Sequence, residues 1–254
     1  MKISFYNGVS GLVAYQEDMD RISNNISNSG TVGYKASRTN FSQLLYTEMA
    51  VNSETNPLTG HGVKADDSRL QYKQGSLLQT GISLDFALMG DGFFAVERPD
   101  GSIQYTRSGA FDISVSGSKG YLVTSDGSFV LDSKGKRIEL KRDSKDDPFD
   151  LTQLPDQIGI YNIENPYGLQ PVGDTCFALT ESSGEATADR NGSSRLIQGA
   201  LEQSSVDLSD EMVNVIQAQR AFQLNAKMVQ TADELEQVIN NPVSYTHLTL
   251  PTIL

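Results

Sequence analysis

Leu208-Ser209-Asp210-Glu211-Met212-Val213-Asn214-Val215-Ile216-Gln217-Ala218-Gln219-Arg220-Ala221-Phe222 decides the fold. Read on to Ile239, the residues Leu208, Met212, Val215, Phe222, Ala226, Val229, Ala232, Leu235 and Ile239 fall at steps of three, four or seven. Such steps align side chains along one seam of a helix, and repeated heptads make that seam suited to coiled-coil packing. Asp207 is placed to cap this helix, with Asp210 and Glu211 near the positive end of its dipole. Pro242 ends it. The front of the chain has a matching stripe in Phe5, Val9, Leu12, Met19, Ile22 and Ile26, which predicts a helix over residues 3–28, roughly 40 Å long. Asn28-Ser29-Gly30 supplies its stop. Gly8 and Gly11 lie inside it and each weakens it by about 1 kcal/mol relative to Ala. Neither helix has a core of its own, so the two must meet each other or other copies.

Between the helices the pattern changes. Asp91-Gly92, Asp100-Gly101 and Asp126-Gly127, with Lys119-Gly120 and Lys134-Gly135, punctuate short β-rich runs. Those runs are Gly92–Val96, Ile103–Thr106, Tyr121–Thr124 and Ser128–Leu131, with further strands expected at 157–162 and 176–180. Asp-Gly between such runs is a hairpin signal. Residues 51–67 read as a loop and 141–150 as a charged connector. The expected fold is α+β: N- and C-terminal helices pairing as a coiled-coil-like α domain, with a central antiparallel β domain. The boundaries are 1–30 with 205–241 for the helical assembly domain, 31–69 for an extended connector and 70–204 for the β-rich outer domain. Residues 242–254 have an unrelated composition and read as a non-native tail.

A formal net charge of -12 argues against nucleic acid or anionic lipid as the main partner, because phosphate binding needs clustered Lys and Arg. The single cysteine, Cys176, excludes an intramolecular disulfide and a Cys-based zinc site. It sits in an apolar run and reads as a small buried hydrophobe. No stretch reaches the length of a membrane span, and the N-terminus lacks the apolar region of a cleaved signal peptide.

Chemistry-bearing motifs are weak. Gly90-Asp91-Gly92-Phe93-Phe94-Ala95 matches G-x-G-x-x-A, but a dinucleotide site needs a helix opening at these glycines. The chain instead continues into Arg98-Pro99-Asp100-Gly101, so a hairpin is expected. Outside the tail the sole histidine is His61, in a polar loop. Asp143, Asp146, Asp147 and Asp150 lack the spacing and turn glycine of a calcium loop. No catalytic residue, cofactor site or metal site is predicted.

Other blocks resemble a family. Ser10-Gly11-Leu12, Met19-Asp20-Arg21-Ile22-Ser23-Asn24-Asn25-Ile26-Ser27-Asn28 and Thr31-Val32-Gly33-Tyr34-Lys35 resemble the N-terminal signature of bacterial flagellar rod and hook proteins. Gln74-Gly75-Ser76-Leu77, Thr80–Ala87, Gly90–Phe94 and Tyr105-Thr106-Arg107-Ser108-Gly109-Ala110-Phe111 continue it. Gly199–Leu208, Glu211-Met212 and Gln219–Asn225 are similar to the C-terminal signature, with Ser205 where many members have Asn. The resemblance implies an axial subunit of the flagellum, structural and not enzymatic. It would be exported unfolded through the flagellar type III apparatus, without a cleaved signal peptide, and assembled outside the inner membrane. The implied partners are copies of itself in a helical tube, adjacent rod and hook subunits, the export apparatus and the rod-surrounding ring proteins. Nucleic acid, direct membrane insertion and cofactors are not implied. Phe41-Ser42-Gln43-Leu44-Leu45-Tyr46 is most similar to the distal rod type, which would transmit motor torque and pass exported subunits; a hook or proximal rod paralogue stays open.

The expected assembly seam is Phe5, Val9, Leu12, Met19, Ile22 and Ile26 with Met212, Val215, Phe222, Ala226, Val229 and Leu235. The same residues would serve an ordinary intramolecular core. Asn24, Asn25 and Asn28 are either helix-end residues or donors to neighbouring subunits. A rival of another class is a secreted binding module on a closed helical stalk.

Overall fold

The computed structural model describes residues 2–48, 58–116, 119–140, 149, 151, 153–189, 192 and 194–240. The charged connector, apart from Phe149, and the 242–254 tail lie outside them. Helix α1 spans Lys2–Ser27, the short α2 spans Leu154–Gln157, and α3 spans Leu208–Asn240. The cap on α3 is the expected one: Asp207 Oδ1 accepts from Ser209 N at 2.9 Å and Asp210 N at 3.4 Å, satisfying amides that the first helical turn leaves without partners.

The described residues fall into two compact units, one within Met1–Asp20, Thr39–Asp67 and Val213–Leu254, the other within Arg21–Arg38 and Ser68–Met212. In the first, Tyr46–Glu48 pairs antiparallel with Leu58–Gly60, in the segment read from sequence as connector and loop. The side of α1 facing this hairpin is polar. Asn7 Nδ2 donates to Gly60 O at 3.1 Å, and Ser10 Oγ accepts from Val63 N at 3.3 Å.

The second unit is built on a ten-stranded sheet in which every pairing is antiparallel. Its main path runs Glu139–Leu140, Lys119–Thr124, Phe129–Val130, Phe93–Glu97, Ile103–Thr106, Cys176–Ala178 and Gln170–Gly173. Asp100-Gly101 and Asp126-Gly127 join strands that do pair. Lys119-Gly120 lies inside a strand. Asp91-Gly92 is a corner: Phe86–Met89 pairs with Arg195–Gln198 in a separate sheet, and Phe93–Glu97 belongs to the large one. No helix opens at Gly90 or Gly92, so the dinucleotide motif has no structural counterpart.

Phe86, Leu88, Phe94, Val96, Phe111, Leu122, Val130 and Leu154 fill the main core, and Cys176 is buried among them as expected. A second cluster holds Phe93, Tyr105, Leu131, Ile163, Leu169 and Phe177. Alternation explains the two clusters. Phe94 and Val96 face one side of their strand, Phe93 and Ala95 the other, so the strand is covered on both faces.

Candidate functional site

Three charged side chains that the sequence scatters across the chain meet in the interior of the second unit. Lys35 Nζ lies 2.7 Å from Glu202 Oε1, and both side chains are 0% exposed. Arg107 Nη1 approaches Glu202 Oε2 at 3.4 Å from a side chain that is 2% exposed. Further donors complete the cluster. Gly75 N donates to Glu202 Oε1 at 2.9 Å, Lys35 Nζ to Lys73 O at 2.9 Å, and Arg107 Nη2 to Gly90 O at 2.8 Å. The guanidinium also sits 5.2 Å from the Phe93 ring centroid, a favourable cation–π distance. Burial pushes both Lys35 and Arg107 below their ordinary values, and the Glu202 carboxylate pulls each back up.

The local backbone explains how the residues reach one another. Gly33 adopts φ +70, and a Cβ there would stand 2.5 Å from Ser108 N. Only glycine permits both the left-handed turn and this approach of two backbones. Gly33 N then donates to Glu202 O at 2.8 Å. Leu77–Gln79 pairs with Ala200–Glu202, which fixes Glu202 beside Gly75. Each family-like block thus contributes a part: Lys35 from the first, Gly75 and Arg107 from the middle, Glu202 from the last.

A polar knot ties the end of α1 to the start of α3 in this unit. Asn25 Nδ2 donates to Glu211 Oε1 at 3.1 Å and to Ser37 O at 2.8 Å, while Asn25 Oδ1 accepts from Ser37 N at 3.0 Å and Tyr34 OH at 3.1 Å. Ser205 Oγ accepts from Ala36 N at 3.0 Å. Burial, then the Glu211 carboxylate, raises the Tyr34 phenol above its ordinary value. Asn25 is therefore engaged within its own chain. Asn24 is exposed, and half-buried Asn28 donates to its oxygens at 2.8 and 2.9 Å.

In the first unit α1 meets α3 through glycine. A Cβ on Gly8 would lie 2.8 Å from Val229 Cγ2, and one on Gly11 the same distance from Asn225 Cγ. Ala14 is buried as well. The glycines read from sequence as weak points of α1 are thus places where it lies against α3. Of the expected seam, Ile22 is buried; Val9, Leu12, Met19, Ile26, Val215, Phe222, Ala226 and Val229 are half-buried; and Phe5, Met212 and Leu235 are exposed. The sequence reading missed Lys35, Arg107 and Glu202. The available signal was one charge set within each otherwise small or apolar block.

Among the described residues no group of three His, Cys, Asp or Glu side chains is placed to hold a metal ion. The buried charges tie distant parts of the second unit together. Comparison with known proteins identifies the family. Residues 5–35 match the flagella basal body rod protein family model, residues 87–163 the flagellar hook protein FlgE/F/G D1 domain, and residues 197–241 the flagellar basal body rod FlgEFG protein C-terminal region. The flagellar basal-body rod protein FlgG of Borreliella burgdorferi is 35% identical over 95% of this chain and 98% of its own length. FlgG of Bacillus subtilis is 35% identical over 94% and 98%. The flagellar hook-basal body complex protein FlhP of the same bacterium is 32% identical over 89% and 94%. The chain belongs to the flagellar basal-body rod protein family, most like FlgG. It is a structural subunit of the flagellum that assembles with other rod and hook subunits, and not an enzyme. No helix among the described residues is long and apolar enough to cross a membrane.

Proposed function

We propose that this subunit takes the distal position in the rod. There it polymerises helically into a hollow tube that transmits motor torque and passes exported subunits. Its terminal helices, residues 1–30 with 205–241, pair antiparallel and carry the contacts between copies, with 31–69 as connector and 70–204 as the outer β domain. Export through the type III apparatus without a cleaved signal, assembly outside the inner membrane and contact with the surrounding ring proteins complete the reading.

One observation carries it. Much of the apolar surface of α3 is left uncovered by its own chain: Met212 is 65% exposed, Leu224 70%, Leu235 51% and Val238 72%. Large apolar side chains left exposed in this number support a protein–protein contact, and a repeated contact whose rotation does not close gives an open helical tube. The glycine contacts of α1 at Val229 and Asn225 support the antiparallel pairing, since the later glycine meets the earlier partner. Met212→Asp and Leu235→Asp test the proposal. Both residues are exposed, so each variant should keep the parent's helical circular dichroism yet fail to enter the rod, because a charge buried in an apolar contact is strongly unfavourable. Normal motility with both substitutions together would overturn it.

A further inference from the structure

We propose that Pro171 guards a free edge of the ten-stranded sheet: it withholds the main-chain donor that a strand added from a second copy of this chain would need there. Gln170–Gly173 stands at one end of the sheet's main path, and among the described residues it pairs only with Cys176–Ala178. All four of its residues are exposed, Val172 by 47%. An exposed edge strand offers a row of main-chain N–H and C=O groups, which is a template for another chain. The inference is separate from the rod reading and holds whether or not the helices carry the contacts between copies.

The ladder fixes which way Pro171 faces. Ala95 O accepts from Leu131 N at 2.9 Å, on the side of its strand away from Ile103–Thr106. Antiparallel partners alternate between pairs that exchange both main-chain bonds and pairs that turn them outward, so Ala95 and its partner Tyr105 are an outward pair. Arg98 N donates to Ser102 O at 2.9 Å, an odd number of residues along the same ladder, as that alternation requires. Tyr105 is therefore turned towards its next partner, Phe177, and Phe177 spends its own groups on Tyr105. Pro171, opposite Phe177, is left facing the free edge.

A proline at that position has no N–H to offer, and prolines within sheets are confined to edges for this reason. The preceding residue on the same side, Leu169, already donates its N–H to Pro166 O at 3.1 Å. Positions 169–171 thus present carbonyls at the edge but no free main-chain donor. Beyond them the register shifts between Pro171 and Gly173, and such a bulge bends a strand and increases its twist. Asp174, whose side chain is 65% exposed, adds a carboxylate at the end of the strand, 3.3 Å from Arg98. Charge beside an edge also discourages pairing. All three features oppose the addition of a strand at this one edge.

Hydrogen exchange of the full chain, read by mass spectrometry on peptides spanning 169–173 at low and high protein concentration, tests the proposal. The proteins compared are wild type, Pro171→Thr, Gln170→Thr, and Pro171→Thr combined with Val172→Lys. Thr at 171 supplies the missing N–H. Thr at 170, opposite Ala178 with its N–H turned inward, raises strand propensity without supplying one. Pro171→Thr should keep the wild-type circular dichroism, exchange several-fold more slowly over this segment at high concentration, and sediment as a larger species. The added Lys, a charge of the kind that keeps edges apart, should return it to wild-type behaviour, and Gln170→Thr should behave as wild type. Exchange in Pro171→Thr that does not depend on concentration would overturn the proposal. So would protection in wild type or Gln170→Thr equal to that in Pro171→Thr, since a strand would then pair despite the proline or through propensity alone. Protection that Lys leaves unchanged, or that comes with altered circular dichroism, would mean misfolding and overturn it as well.

Discussion

Replacing Glu202 by Gln isolates the energetics of the buried charge cluster. The substitution keeps the side-chain volume but leaves Lys35 and Arg107, both inaccessible to solvent, facing a neutral amide. Removing one partner of a buried ion pair costs about 3–5 kcal/mol, because the remaining charge loses its compensation without regaining water. A domain has about 5–15 kcal/mol of total stability, so the loss should be large but not always complete. The contrasting variant, Lys35→Met with Arg107→Leu and Glu202→Leu, removes every charge at once and should be close to neutral, since apolar replacement of a whole buried ionic cluster often costs nothing. Urea unfolding of the full chain, followed by circular dichroism and tyrosine fluorescence in a protein without tryptophan, reads both. With a slope of about 1–3 kcal/mol per molar urea, a loss of that size should shift the Glu202→Gln midpoint down by roughly 1–5 M. A shift below roughly 0.3 M at unchanged slope would refute the reasoning. A triple variant as damaged as the single one would show that hydrogen-bond geometry, and not charge compensation, holds the cluster together.

Two further predictions follow the same physics. Gly8→Leu should separate α1 from α3 in the first unit, because a Cβ there already meets Val229 Cγ2 at 2.8 Å and Asn225 O at 3.5 Å; the melting temperature should fall, and an unchanged one would refute the close approach. Burial raises the phenols of Tyr34, Tyr72, Tyr105 and Tyr161. The folded state then keeps protons that the unfolded state has lost, so their contribution is full below pH of about 10 and falls as pH rises beyond it. Phenolate absorbance should therefore rise in two steps, the second coincident with unfolding. A single step near pH 10 for all 10 tyrosines, with the fold intact, would contradict this.

What was legible in the sequence was local. Both long helices announced themselves through periodicity, and Asp207 proved a true cap because capping involves only the next three residues. Asp100-Gly101 and Asp126-Gly127 gave hairpins for the same reason. Asp91-Gly92 did not, since whether two strands around a turn pair depends on their other neighbours: Phe86–Met89 is claimed by Arg195–Gln198. Strands of three residues, such as Leu77–Gln79 and Ala200–Glu202, carry too little pattern to register alone. Lys35, Arg107 and Glu202 went unread because no spacing rule links residues so far apart. Gly8 and Gly11 were read only for their cost to the helix, since helix propensity counts glycine in isolation and not the helix it lets in.

The tie between Lys35 and Glu202 joins positions 167 apart in sequence. Closing a loop of that length has to precede any return from the contact, and folds dominated by such distant contacts form slowly. The β unit therefore cannot complete its interior until the segment around Glu202 has been synthesised. During translation, Lys35 waits for Glu202, so the interior of the second unit stays open while most of the chain is made.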